Sequence, residues 1–293
     1  MFEYLLTGQW VQILIVNIVL VVSIMALAKY VTVILSKTTH SACSIQDNPA
    51  FGISVAGTLI SLSIILTGVI SGDASTSLVN ESLLVLSYGI GGILLMIIAR
   101  ILFDSFAMRG ISLKQEIAKG NIACAVVEAG HLISSAIILR AMMLWVEEYT
   151  LQGVLSLVVG YVVSQLLLNL VSAWRLYLYN RHHKSSMQTS LLNGNLAVAI
   201  RFSGIRIAIA SAITAGAGFI AYTDSWLSSL SLWLGFSLLA IAAVSFISLI
   251  LDKIILKGID IRQAVDTRNN VSVATIQTSI TFSVGLIIVA LLG

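Results

Sequence analysis

Long apolar stretches separated by short polar segments extend through the whole chain. Eight of these stretches have the length of about 20 residues that an α-helix needs to cross the hydrocarbon core of a bilayer. The strands of a membrane β-barrel would be about 10 residues long, with apolar and polar positions alternating. The pattern therefore predicts an all-α membrane protein with eight transmembrane helices, expected at residues 10–36, 51–71, 79–103, 122–145, 151–176, 196–222, 226–251 and 271–292.

The amino-acid composition agrees with a membrane location. Hydrophobic residues make up 58% of the 293 residues and charged residues 10%, whereas soluble domains carry about 25% charged residues. So few charged side chains cannot cover the surface of a folded chain with polar groups. We therefore expect the lipid bilayer to surround the protein.

The charged side chains separate by side of the membrane. The connections after the first, third, fifth and seventh predicted helices, with the helix ends beside them, hold 13 of the 16 lysine and arginine residues. The other three connections hold none and carry acidic residues instead. Because short basic loops stay in the cytoplasm, we expect both termini on the periplasmic side. This topology explains the basic residues, so nothing in the sequence indicates binding to nucleic acid.

An internal repeat relates the even-numbered predicted helices. Each begins with an asparagine followed by small residues at similar positions, and these asparagines are separated by 73, 74 and 75 residues. This regularity predicts four two-helix repeats of about 74 residues, two in each half of the chain, 1–150 and 151–293. Each repeat begins and ends on the same side of the membrane, so the four must be parallel. An asparagine side chain caps a helix N-terminus well, and we expect this role for Asn48, Asn121, Asn195 and Asn270.

Two linkers that precede even-numbered helices also resemble each other. Residues 110–115 read Gly-Ile-Ser-Leu-Lys-Gln, and residues 258–263 read Gly-Ile-Asp-Ile-Arg-Gln. Ser112 with Gln115, and Asp260 with Gln263, have the spacing of a capping box. The spacing predicts a short amphipathic helix on the membrane surface in each linker.

These features resemble the YjfL-like family of bacterial inner-membrane proteins, the domain of unknown function 350. The resemblance rests on a helix start of the form Gly-Asn-x-Ala-x-Ala, which residues 120–125 and 194–199 match best. The first repeat departs from this form with Asn48-Pro49, and the fourth with Asn269-Asn270. The resemblance implies a bacterial inner-membrane location and a partner among envelope-stress proteins or peptide/polyamine-ligase-type enzymes. It implies no catalytic residues.

Ionisable side chains inside the predicted helices are costly in lipid and indicate functional positions. These are Glu128, His131 and Arg140 on the fourth predicted helix, and Arg201 and Arg206 on the sixth. Arg140 lies near the outer end of its helix, where its side chain can extend to the membrane surface. Glu128 and Arg201 lie at similar depths, so an ion pair between them would reduce the cost of burying both charges. The candidate intramembrane polar site consists of Glu128, His131, Arg201, Arg206 and, on the eighth helix, Gln277. Two interpretations remain open, a partly hydrated cavity between the repeats and a buried ion pair that fixes helix packing.

Two functions are compatible with this candidate site. Arg206 has no acidic partner at its own depth and can attract an anionic solute, which favours a channel or transporter for small solutes or ions. The alternative is a membrane scaffold whose basic loops, residues 104–120 and 252–269, recruit a cytoplasmic protein. No known catalytic motif occurs, so we expect neither enzyme activity nor a cofactor or metal site. The sequence leaves the substrate and the oligomeric state open.

Overall fold

The computed structural model describes residues 9–35, 48–71, 77–146, 150–183, 185–223 and 225–292, and within these ranges the chain forms helices and no strands. Ala215–Gly218 forms a 3-10 turn, and Gln263–Thr267 forms a π-helical turn. The α-helices are α1 Gln9–Leu35, α2 Pro49–Ile70, α3 Leu78–Phe106, α4 Leu113–Ala118, α5 Ile122–Trp145, α6 Leu151–His182, α7 Met187–Leu192, α8 Leu196–Thr214, α9 Trp226–Ile255 and α10 Val271–Leu292.

The helices have the lengths and surfaces of membrane spans. In the described part of the chain, seven are long and apolar enough to cross a membrane, namely α2, α3, α5, α6, α8 with its 3-10 turn, α9 and α10. The first predicted span corresponds to α1, whose shorter apolar stretch is Val11–Leu27. Large apolar side chains such as Leu239 and Phe246 on α9 are 70% and 66% exposed. Surfaces of this kind contact lipid, and the all-α prediction is confirmed.

The membrane-length helices and α1 pack in two rows, which we call the capped row and the flanking row. The capped row consists of α2, α5, α8 and α10, and each of these helices packs along its length against the next. The flanking row consists of α1, α3, α6 and α9. α3 packs against α2 and α5, α6 against α5 and α8, and α9 against α8 and α10. Each of these three flanking helices therefore covers the groove between two capped helices.

The capped row is open. α5 and α8 lie between two capped neighbours and are the most buried of the membrane-length helices, at 72% and 78%. Within the described residues, α5 is the only close neighbour of α2 in this row, and α8 is the only one of α10. The capped helices therefore do not surround a common axis.

The capped helices approach one another at glycines in equivalent positions. A Cβ atom at Gly57 would lie 2.6 Å from Cβ of Ala129, and one at Gly130 would lie 2.4 Å from Cβ of Ser203. At Gly204 it would lie 2.0 Å from a side-chain carbon of the α10 residue at the corresponding position, Thr278. In membranes, where helices gain no hydrophobic free energy by associating, such backbone approach provides the van der Waals contact that holds them together.

Each asparagine at the start of a capped helix has two functions. Its Oδ1 accepts a hydrogen bond from the backbone N–H three residues later, which caps the helix as the sequence predicts. In three of the four, Nδ2 also donates to a backbone carbonyl just before the next capped helix. Asn48 donates to Ile117 at 2.8 Å, and Asn121 to Leu191 at 2.9 Å. Asn195 donates to the carbonyl of residue 266 at 3.2 Å. These bonds hold neighbouring N-termini together, so the capped helices are parallel.

The linkers between the rows form short helices. The N–H of Gln115 donates to Ser112 Oγ at the start of α4, and the N–H of Gln263 donates to Asp260 Oδ1 before the π-helical turn. Ser112 and Asp260 therefore cap the linker helices as their spacing predicts, although the second opens a π-helical turn rather than a regular α-helix. Sequence reasoning missed the corresponding helix α7, which begins at the N-cap Ser186.

Substitution of the interface glycines tests the packing of the capped row. We expect Gly130→Ala to reduce the free energy of unfolding by about 1–3 kcal/mol, because the added methyl group overlaps Ser203 and overpacks the interface. The matched control is Gly91→Ala on α3, where a Cβ atom would meet nothing within 4 Å, and where alanine favours the helix by up to about 1 kcal/mol. Thermal unfolding in detergent, followed by circular dichroism, measures both. Equal melting temperatures for the two variants would contradict the proposed packing.

Candidate functional site

The middle of the capped row contains a buried cation. Arg206 lies on α8, about 16 Å along the helix from its capping asparagine, which is near the centre of a bilayer. Only 2% of its surface is exposed. Residues of α3, α5 and α6 contact its guanidinium. The packing of α8 against α5 therefore places a permanent positive charge in the protein interior.

Neutral side chains bind this guanidinium. Arg206 Nη1 donates to Ser172 Oγ at 2.6 Å, and Nη2 donates to Asn169 Oδ1 at 2.8 Å. The Nη2 atom also lies 3.1 Å from Nδ1 of His131. Ser135 Oγ lies 3.4 Å from the same Nδ1 atom and donates to an amide oxygen of α6 at 3.3 Å. We name this group the Arg206 cluster; its members are His131, Ser135, Gln165, Asn169, Ser172 and Arg206.

An aromatic ring fixes the orientation of the two charged or ionisable members. The imidazole of His131 stacks on Phe103 of α3 with ring centroids 4.2 Å apart. The guanidinium carbon of Arg206 lies 4.4 Å from the centroid of the same ring, within cation–π distance. Because arginine can only donate, Nδ1 of His131 must accept, and the proton of the neutral imidazole lies on Nε2.

The Arg206 cluster has a positive charge and an excess of hydrogen-bond donors. None of the ion pairs among the described residues includes Arg206. A buried donor without a partner costs about 1–3 kcal/mol, and an anion beside these groups would satisfy both the donors and the charge. Four buried nitrogens of the cluster have no hydrogen-bond acceptor within the described part of the chain: Arg206 Nε, Asn169 Nδ2, Gln165 Nε2 and His131 Nε2.

Glu128 is neutralised separately from the Arg206 cluster. This carboxylate on α5 is 3% exposed and forms an ion pair with Arg100 of the flanking helix α3. Its other oxygen accepts a hydrogen bond from Ser54 of α2. The ion pair between Glu128 and Arg201, which the sequence left open, does not form in the structure, because α3 covers the groove beside Glu128 and supplies a nearer cation.

Arg201 points towards the N-terminal ends of the capped helices. Its Nη1 lies 3.0 Å from Asp266 Oδ1 in the π-helical turn, and His183 Nε2 lies 3.2 Å from the other carboxylate oxygen. Burial raises the pKa of the Asp266 carboxyl, whereas the positive charge of Arg201 opposes that rise. Arg201 is therefore part of a linker contact rather than of a membrane-centre site.

Gln277 lies in a separate contact, on α10, the last helix of the capped row. Its Nε2 donates to Asp252 Oδ2 of α9 at 2.7 Å. Gln277 and Glu128 both lie seven residues after the capping asparagine of their helix, and in both cases the flanking helix supplies the polar partner. A polar pair between a flanking helix and its capped helix is thus a recurring feature of the fold.

The five predicted site residues do not form one site. The structure brings His131 and Arg206 together and places Glu128, Arg201 and Gln277 in three other contacts. Gln165 and Asn169, whose spacing of four residues predicts contacts between helices, complete the cluster from α6. Sequence reasoning missed Ser135, Ser172 and Phe103 because none of them is unusual in an apolar helix.

The seven membrane-length helices among the described residues, with charged groups buried between them, define a multi-pass integral membrane protein. Residues 4–143 and 149–292 each match the family described as Domain of Unknown Function (DUF350). The two matches cover nearly the whole chain, so the chain belongs to this family, and the resemblance found in the sequence is confirmed. No curated protein and no solved structure matches the chain.

The pair of Arg100 and Glu128 should respond asymmetrically to substitution. Arg100→Gln leaves the buried Glu128 carboxylate without its cation, which costs about 3–5 kcal/mol of folding free energy. Glu128→Gln leaves Arg100, whose side chain is 38% exposed and can turn towards the membrane surface, so the loss should be below about 1 kcal/mol. Denaturant unfolding in mixed detergent micelles measures both. The double variant should recover much of the loss of Arg100→Gln, and equal losses in the two single variants would exclude this account.

Proposed function

We propose that the protein is a channel or transporter for small inorganic anions, with the Arg206 cluster as its binding site within the membrane. A single observation carries this proposal: the guanidinium of Arg206 is buried without a carboxylate partner among the described residues, and the side chains of its cluster carry N–H groups that have no acceptor among those residues. In a medium of low dielectric constant, such a group attracts an anion more strongly than it does in water.

The chemistry of the cluster favours small anions over other solutes. Its unpartnered groups are all N–H donors, and the oxygens of Asn169 and Ser172 already accept hydrogen bonds from Arg206. A cation would meet a positive charge and no free carboxylate. Glu128 lies on the same helix as His131, but Arg100 neutralises it. Anions of the size of chloride, nitrate or phosphate are therefore the expected ligands.

We also propose that the chain crosses the bacterial inner membrane eight times, as four parallel two-helix units of about 74 residues, with both termini periplasmic. In this arrangement α1 is the first span. The recurrence of glycine contacts and asparagine bonds at equivalent positions of the capped row supports the repeat unit. The basic side chains at the end where the capped helices begin support a cytoplasmic location for that end.

Anion-dependent stability tests the binding site. In a gluconate buffer, chloride, nitrate, bicarbonate and phosphate are titrated into the purified protein, and the melting temperature is recorded. An anion that binds the folded state stabilises it by the free energy RT ln(1 + [L]/Kd). It should therefore raise the melting temperature of the wild type. Arg206→Gln should remove this rise and also abolish flux of the same anion into proteoliposomes.

The matched control for this test is Arg140→Gln. Arg140 lies near the opposite end of α5 and donates to Thr67, so its loss removes the same charge without affecting the cluster. A purely structural role of Arg206 would lower the melting temperature but leave its dependence on anions unchanged. An unaltered anion response or unaltered flux in a folded Arg206→Gln variant would exclude the proposed function.

Topology is tested by cysteine accessibility. In a variant without native cysteines, Arg181→Cys at the end of α6 and Ser225→Cys at the start of α9 report on opposite sides of the membrane. A membrane-impermeant maleimide added to spheroplasts should label Ser225→Cys, and should label Arg181→Cys only after the membrane is permeabilised. Labelling of Arg181→Cys in intact spheroplasts would reverse the proposed orientation.

A further inference from the structure

The two ends of the capped row have complementary surfaces. In each interface of the row, the residue nine positions after the capping asparagine of one helix meets the residue eight positions after that of the next. The pairs are Gly57 with Ala129, Gly130 with Ser203, and Gly204 with Thr278. Each capped helix thus has two contact faces. We call the face that carries the ninth position the donor face and the face that carries the eighth position the acceptor face; these names refer to the order of the helices in the row and not to hydrogen bonds.

The donor face of α10 is not covered. Its ninth position is Ser279, which is exposed, whereas the glycines at this position on α2, α5 and α8 are all buried. Its thirteenth position, Ser283, is also exposed, whereas the equivalent Ser61, Ser134 and Ala208 are buried. Small hydroxyl residues that face outward in this way match the composition of helix interfaces in membranes.

The acceptor face of α2 is also not covered. Its eighth position is Ala56, which is exposed, while Ser203 at the equivalent position of α8 is buried. Seven residues further along, Ser63 is half-buried, while Ala136 on α5 and Ala210 on α8 are fully buried. The first helix of the row therefore has an acceptor face built like the others, but no capped helix packs on it within the described residues.

The flanking row shows the same mismatch. α3, α6 and α9 each pack against two capped helices, whereas α1 packs against α2 alone among them. At the other end of the row, an open apolar groove of about 370 Å³ lies between α9 and α10. Leu251 and Ile255 line it from α9, and Ser279 and Ser283 line it from α10. The groove is at the position where α1 and α2 would follow in the pattern of the rows.

We propose that a second copy of this chain occupies the groove, with α2 of one copy packed on α10 of the next. The contact follows the register of the three interfaces within the chain and pairs Ser279 of one copy with Ala56 of its neighbour. Because Ser279 stands where those interfaces have glycine, the two helices lie further apart than the capped helices within one chain. All capped helices are parallel, so this continuation keeps every copy in the same membrane orientation. The contact is heterologous, and such contacts build closed rings when the rotation between copies is right.

A contact between two α10 helices would not reproduce this geometry. A two-fold interface pairs a face with itself, so Ser279 would meet Ser279 and the acceptor face of α2 would remain uncovered. In the three interfaces within the chain, a donor face always meets an acceptor face. The head-to-tail contact follows that rule at both ends of the chain.

Disulfide cross-linking in native membranes tests the head-to-tail contact. Two differently tagged full-length copies without native cysteines are co-expressed, one with Ala56→Cys and the other with Ser279→Cys, and mild oxidation is applied. These substitutions change side-chain size little. We expect a disulfide between the two tags at a yield about tenfold above that of the control pair Ala56→Cys with Leu239→Cys, because disulfides form only at short Cα–Cα distances. The control cysteine lies on the lipid-exposed face of α9.

Two further variants make the test decisive. Ser279→Trp fills the groove without contacting the interior of its own chain, so it should abolish the oligomer in native mass spectrometry, while Leu239→Trp should leave it intact. Efficient cross-linking of Ser279→Cys with itself would show a two-fold contact and overturn the proposal. A yield no greater than that of the control pair, in protein that remains monodisperse, would also overturn it.

Discussion

The close approach of neighbouring capped helices is the constraint on which the other features of the structure depend. Lipid chains are as apolar as leucine, so helices in a bilayer associate through packing and hydrogen bonds. In this chain the glycines at Gly57, Gly130 and Gly204 provide the packing, and the asparagines provide the hydrogen bonds. Together they fix the register of α2, α5, α8 and α10, which sets the depth of every side chain between them.

This register determines how each buried charge is stabilised. Glu128 lies where α3 and α2 can both reach it, and it receives a cation and a hydroxyl group. Arg201 lies close enough to the linkers to reach Asp266. Arg206 lies five residues further along the helix than Arg201, forms no ion pair with the carboxylates of the described residues, and is bound by neutral groups alone. Arg201 therefore belongs to a structural ion pair, whereas Arg206 on the same helix forms a candidate anion site.

Much of the fold follows from the sequence, because its signals are local. Apolar length predicts the spans, and an asparagine before small residues predicts the caps. The partners of buried charges are not local, and depth alone does not determine them. Glu128 and Arg201 have similar depths, yet a flanking helix contributes Arg100 from a position 28 residues before Glu128. The open row was equally unpredictable, since a repeat of parallel units fits a closed ring as well as a line.

The Arg206 cluster was partly predictable, because some of its members are conspicuous in the sequence. An arginine in the middle of an apolar helix is conspicuous, and so are a glutamine and an asparagine four residues apart on α6. Ser172 and Phe103 are ordinary residues in such helices, and only the packing of α3 and α6 against α8 makes them part of the cluster.

The asparagine bonds also impose an order on biosynthesis. Asn48 finds its acceptor 69 residues downstream, Asn121 finds its acceptor 70 residues downstream, and Asn195 finds its acceptor 71 residues downstream. As the ribosome extends the nascent chain, each helix can dock fully only after the following linker has been translated. The helices of the capped row therefore assemble in one direction, from the amino-terminal half towards the carboxyl terminus.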